Sequence, residues 1–232
     1  MKTIGLIGGM SWESTQTYYR LINEGVRDHL GGLHSAKSVL YSVDFAEMEA
    51  LQHRGDWDAT ADILSSAARS VVSAGANFLV LCTNTMHKVA PAIGDAVDVP
   101  LLHIADATAN TLHQDEVTCV GLLGTAFTME QAFYRERLEE RGIRVLVPDE
   151  AQRALVHRVI YEELCLGTVN PESKAAYLDV VQSLSDAGAQ GVILGCTEIG
   201  LLIQGADTDV PLYDTTAIHA DQAVRFALDD EP

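Results

Sequence analysis

The chain has 232 residues, of which 47% are hydrophobic and 21% charged, a composition that excludes a disordered chain and leaves room for one large or two small domains. Its formal net charge of -18, from 15 Lys and Arg against 33 Asp and Glu, argues against nucleic-acid binding, which needs clustered cations. The same acidity opposes anionic membrane surfaces, and no apolar run approaches the roughly 20 residues of a membrane span. The opening apolar run, Ile4–Ile7, is too short for a signal peptide and reads as a first strand. Four cysteines without a leader are expected to stay reduced, which points to the cytoplasm.

Runs rich in Val, Ile and Leu follow in order at Ile4–Ile7, Val39–Val43, Phe78–Leu81, Leu101–Leu102, Val117–Leu123, Val145–Val147, Val192–Leu194 and Pro211–Tyr213. Segments with helical spacing lie between them, at Tyr18–His29, Thr60–Ala74, Met129–Arg141, Ala151–Cys165 and Ser173–Ala187, with a final one at Thr216–Leu228. Short apolar strands alternating with amphipathic helices predict parallel βαβ units. The α/β pattern is also duplicated. Thr3-Ile4-Gly5-Leu6-Ile7-Gly8-Gly9 recurs as Cys119-Val120-Gly121-Leu122-Leu123-Gly124-Thr125. Ala74-Gly75-Ala76 leads to Cys82-Thr83 as Ala187-Gly188-Ala189 leads to Cys196-Thr197, and Val99-Pro100-Leu101-Leu102 returns as Val210-Pro211-Leu212-Tyr213. The offsets are 116, 114 and 111 residues. The expectation is two similar halves, residues 1–104 and 105–214, with the tail 215–232 packing back on the first. Each half has a mostly parallel sheet flanked by helices, and the active site lies in the cleft between them, where strand carboxyl ends receive ligands.

Cys82 and Cys196 both close a strand and open a polar segment: Thr83-Asn84-Thr85-Met86-His87 after the first, Thr197-Glu198-Ile199 after the second. A helix starting there would favour the thiolate. Two sulfurs on opposite faces of a carbon suit stereoinversion, one removing a proton and the other delivering one. Cys119, within a strand, and Cys165, within a helix, read as packing residues. A redox pair lacks the Cys-x-x-Cys spacing, and neither half offers a metal-ligand cluster.

The segments Ile4-Gly-Leu-Ile-Gly-Gly-Met-Ser-Trp-Glu-Ser-Thr15, Leu81-Cys-Thr-Asn-Thr-Met-His87, Gly195-Cys-Thr-Glu-Ile199 and Tyr213-Asp-Thr-Thr216 resemble the aspartate/glutamate racemase superfamily, its aspartate-racemase branch in particular. The resemblance implies two Rossmann-like halves, a cofactor-independent amino-acid racemase that uses neither metal nor pyridoxal phosphate, and a homodimer. It gives Cys82 and Cys196 the acid/base roles. It places the substrate α-carboxylate on Asn84 and Thr85, with Thr125 helping from the second half, counts Thr83 and Thr197 among the substrate-binding residues, and sets Met10 and Ser11 beside the substrate. Where the glutamate branch has Asp-Ser, this loop reads Met10-Ser11, which favours the aspartate branch. Gln52, Arg54 and Lys174 are candidates for a distal carboxylate, although Arg54 and Lys174 read equally well as solvated charges. His87 is assigned to orienting Asn84 or to packing, His103 and Asp214 to lining the cleft, and Glu198 to raising the Cys196 pKa. The same scaffold serves hydantoin racemases, maleate isomerases and arylmalonate decarboxylases, and a non-catalytic carboxylate-binding protein is a further alternative.

Overall fold

A computed structural model describes residues 1–229 of the chain and divides into two compact units. One comprises Met1–Ile104 and the stretch from His219 onward; the other is Ala105–Ile218.

The first unit is built on strands β1 (Ile4–Gly8), β2 (Ser38–Ser42), β3 (Phe78–Leu81) and β4 (Leu101–Leu102), paired in the order β2-β1-β3-β4 with every pairing parallel. All residues of β1 and β3 are buried, as inner strands covered on both faces must be. That double burial is why they appear as unbroken apolar runs. Helices α1 (Trp12–Leu30), α2 (Phe45–Arg54), α3 (Trp57–Ser73) and α4 (Ala90–Asp95) supply the cover. Tyr18, Ile22 and Val26 of α1 pack on one side with Ile4, Leu6, Phe78 and Val80, while Leu64, Ala67, Ala68 and Val71 of α3 pack on the other with Ile7, Leu79 and Leu81.

The second unit repeats the plan. Strands β5 (Cys119–Gly124), β6 (Arg144–Leu146), β7 (Val192–Gly195) and β8 (Leu212–Asp214) pair in the order β6-β5-β7-β8, again all parallel. Its helices include α6 (Ala126–Glu130), α7 (Ala132–Glu139), α8 (Glu150–Glu162), α9 (Pro171–Asp186) and α10 (Ile199–Leu202). The chain passes between units at the start of α5 (Ile104–Gln114) and returns within α11 (Thr215–Leu228). The duplication in the sequence is thus a duplication of topology. No helix among the described residues is long and apolar enough to cross a membrane.

One expected helix comes out differently. The segment 129–141 is two helices, because Gln131 adopts an extended backbone (ψ 150°) that ends α6 and starts α7. The α8 start is a full capping box: the Asp149 carboxylate accepts the Gln152 N–H at 2.8 Å, and the Gln152 amide oxygen accepts the Asp149 N–H at 3.4 Å. Asp149→Ala is expected to cost about 1 kcal/mol, seen as a lower urea midpoint. An unchanged midpoint would show that water replaces the cap.

Candidate active site

In the first unit the site grows from the ends of two adjacent strands. Ile7 on β1 lies opposite Leu81 on β3, so Gly8-Gly9-Met10-Ser11 and Cys82-Thr83-Asn84-Thr85 emerge side by side. Gly9 has φ of +94°, and a Cβ there would land on the Val43 carbonyl oxygen, so the first loop passes only with glycine. Ser11 then caps α1, its hydroxyl oxygen accepting the Ser14 N–H at 3.3 Å. The Ser14 hydroxyl in turn donates to the Cys82 carbonyl at 3.3 Å. Thr15 accepts the Gly9 N–H at 2.8 Å and donates to the Ser11 carbonyl at 2.9 Å. Ser14 and Thr15 were not singled out in the sequence, yet they stitch the two loops together. Hydroxyls one turn inside a helix carry no sequence mark of that role.

Met10, Ser11, Cys82, Thr83, Asn84 and Thr85 are all buried, and Met10 belongs to the core beside Leu81 and Met86. His87 braces the loop from below. Its Nδ1 lies 2.8 Å from the Thr83 carbonyl, and its Nε2 accepts the Ile104 N–H at 3.2 Å. The two partners require the neutral ring with the proton on Nδ1. Burial, then the neighbouring His103 and His219, hold its pKa well below the usual histidine range. His103 stacks edge-on against it at 4.6 Å between ring centres.

Gln52 and Arg54 are not brought together. Both lie on α2, but two residues apart they face different sides: Gln52 is buried and Arg54 exposed at the helix end.

The second unit presents an equivalent pair of loops. Gly124 on β5 pairs with Gly195 on β7, so Thr125 and Cys196-Thr197 leave adjacent strands. A Cβ on Gly195 would sit 2.7 Å from the Leu123 carbonyl oxygen, so only glycine permits this approach. Thr125 caps α6, accepting the Thr128 N–H at 3.4 Å, and His157 Nδ1 accepts the next amide, Ala126 N–H, at 3.1 Å. Thr197 is half-buried. Lys174, on the first turn of α9, is held by Asp207 at 2.7 Å, and this contact keeps the Asp207 carboxyl below its ordinary range. A substrate carboxylate would have to compete with that partner.

The expectation that helix starts favour thiolate is corrected here. Cys82 precedes only a 3-10 stretch, Thr85–Val89, and the six-residue α4; Cys196 precedes the four-residue α10. Such short helices align few peptide dipoles. Burial instead pushes the Cys82 thiol up strongly, with the Val80 carbonyl 3.9 Å from its sulfur. Cys196 is also raised well above the ordinary thiol value, by burial first and then by Glu198, whose carboxylate oxygen stands 3.0 Å from Sγ. Among the described residues no group of three or more His, Cys, Asp or Glu is arranged to hold a metal ion.

The sequence model of the family described as Asp/Glu/Hydantoin racemase matches residues 7–223. The broad specificity amino-acid racemase RacX of Bacillus subtilis is 24% identical over 237 residues, covering 97% of this chain and 98% of its own. The crystal structure of a Yersinia pestis protein, provisionally named an Asp/Glu racemase, is 58% identical with a TM-score of 0.93, covering 98% of this chain and 100% of that one. PH1733 of Pyrococcus horikoshii, an aspartate racemase homologue, is 35% identical with a TM-score of 0.86, covering 98% of this chain and 99% of that one.

Proposed function

Because the chain belongs to the Asp/Glu/Hydantoin racemase family, we propose that it is a cofactor-independent amino-acid racemase that inverts Cα with Cys82 and Cys196. The observation that carries this reading is the matched placement of the two Cys-Thr pairs. Each follows the third strand of an identically ordered four-stranded parallel sheet, β3 in one unit and β7 in the other. In open α/β sheets that end of the strands is where ligands bind. One sulfur, as thiolate, takes the α-proton; the other, as thiol, delivers a proton to the opposite face. A thiol pKa raised by burial leaves little thiolate near neutral pH, where a general base must be unprotonated to act, so the base has to be generated as the substrate binds. The cationic α-ammonium of a bound amino acid offsets that rise by favouring the thiolate.

The substrate carboxylate is assigned to Thr83, Asn84 and Thr85, with Thr125 and Thr197, whose hydroxyls and backbone amides can receive an anion. The likeness to an aspartate racemase homologue over nearly the whole chain, and to a broad specificity racemase, supports acidic amino acids with some breadth. We further propose a cytoplasmic homodimer, whose mass size-exclusion chromatography with light scattering checks.

The deciding experiment incubates single enantiomers of an amino-acid panel, aspartate and glutamate included, with dialysed protein in deuterium oxide. Optical inversion and α-deuterium are expected to appear together, with aspartate or glutamate among the substrates and EDTA without effect. Inversion that depends on an added metal or on pyridoxal phosphate would defeat the cofactor-independent reading. Failure of every amino acid to exchange its α-proton would defeat the racemase reading.

A further inference from the structure

The two sulfurs sit in unlike surroundings. In the duplicated motif Asn84 stands where Glu198 does, two residues after its cysteine. The Cys196 thiol has the Glu198 carboxylate at 3.0 Å, well inside hydrogen-bond range for sulfur, and Glu198 is itself buried. Cys82, fully buried, has a neutral carbonyl 3.9 Å from its sulfur. The other elements around Cys196 add to the contrast. Cys165, from the 3-10 turn after α8, acts on Cys196 in the same direction as Glu198. Tyr177 of α9 is held above the ordinary phenol range by burial first, then by Cys196, Glu163 and Cys165. Glu163 accepts the Ser173 hydroxyl at 2.9 Å, and Asp214 lies against α10, close enough that a Cβ on Gly200 would be 3.3 Å from its Oδ2.

We infer that Glu198 is a positioning residue acting through Cys196: its carboxylate holds the Cys196 proton, so that Cys196 is the resting thiol of the pair and Cys82 the sulfur that deprotonates first. The assignment of the pair to proton transfer rests on the functional reading above; the inequality of the two thiols does not. When Cys196 gives up its proton, the S–H electron pair stays on sulfur and the proton goes to the substrate carbon. The thiolate left behind then faces a carboxylate at contact distance, which disfavours it. The proton must return to Cys196 before the next turnover of the same hand. One enantiomer therefore meets the enzyme in its ready form, and the other must find the less favoured one.

The test is the pH profile of iodoacetamide labelling at each cysteine, read by peptide mass spectrometry on full-length wild-type, Glu198→Gln and Glu198→Asp protein. Only the thiolate reacts. Glu198→Gln removes the charge and is expected to move Cys196 labelling to lower pH. Below the midpoint, labelling quickens about tenfold for each pH unit moved. Glu198→Asp should stay nearer wild-type, and the Cys82 profile should be the same in all three. An unmoved Cys196 profile in Glu198→Gln overturns the inference. So does a Cys82 profile that shifts in step, which would mean general loosening. Should Glu198→Gln fail to fold, infrared spectra of wild-type and Cys196→Ser protein decide. At neutral pH wild-type should show a Cys196 S–H stretch displaced from that of a thiol in water, and an absent or undisplaced band overturns the inference. Labelling requires no turnover. A protein that racemises nothing yet shows the shift would refute the functional reading and leave the thiol inequality standing.

Discussion

Replacing either Cys82 or Cys196 with serine is expected to lower racemisation by about 10²–10⁴, the usual cost of losing a positioned general acid or base. Serine fills nearly the same space at the fully buried Cys82 and the half-buried Cys196, so the fold should survive, as circular dichroism will show. A hydroxyl is far less acidic than a thiol and transfers protons poorly in either direction. The remaining cysteine, however, can still remove the α-proton that points toward it. With a β-chloro amino acid, the C–H electron pair then expels chloride from Cβ, and no reprotonation is needed. Each single variant should therefore eliminate chloride from one enantiomer, and the two variants should prefer opposite hands. Chloride release from the same hand in both, or racemisation at the parent rate in either, would contradict the two-face assignment.

Acid should destabilise the first unit through a pair of buried histidines. His219 Nε2 lies 2.9 Å from the Leu102 carbonyl and its Nδ1 2.9 Å from the Tyr18 hydroxyl, which fits a neutral ring donating from Nε2 and accepting at Nδ1. Burial lowers its pKa to about 4, partly opposed by the Leu102 contact. His87, 5.8 Å away between ring centres, is lowered in the same direction. A histidine depressed in the folded state is protonated first in the unfolded one, so its contribution is complete above about pH 6.5. It is lost progressively as the pH falls from there toward 4. For His219 alone this amounts to about 3 kcal/mol, and His87 adds to it. Urea midpoints at pH 7, 5.5 and 4.5 should fall steeply. In His219→Leu the midpoint at pH 7 should be lower, since two polar partners lose their bonds, but its further fall on acidification should be shallower. Parallel slopes in variant and parent would rule out His219 as a source of acid sensitivity.

The strands, and the position of both cysteines just after strand ends, were legible because they obey local rules. β1, β3, β5 and β7 are buried on both faces and so are continuous apolar runs, and duplication singled out Cys82 and Cys196 from Cys119 and Cys165. The Glu198 contact was legible too, being two residues along the chain. The break at Gln131 was not, because helical periodicity continues across a residue whose ψ alone interrupts it. Nor was α5, which carries only Ile104 and Leu112 as large apolar side chains. The thiol surroundings were misjudged because sequence shows that a helix follows but not how briefly it runs. His219 escaped notice for a different reason: its partners Tyr18 and Leu102 are more than half a chain away.

That separation also orders events during synthesis. Residues Ala220, Ala223, Val224 and Ala227 complete the core that holds Tyr18, Ile22 and Val26, and the Lys2 N–H donates to the Ala227 carbonyl at 2.8 Å. The fit is close: a methyl on Gly25 would be 3.0 Å from Val224 Cγ2. A ribosome therefore releases the first hundred residues with one wall of their core still unmade, whereas Ala105–Ile218 is continuous and has all its own strands by the time Asp214 emerges. The segment made second is thus the one equipped to fold first. The segment made first must wait, with apolar surface exposed, for the last helix. Nascent chains halted before His219 should show protease resistance confined to the later unit.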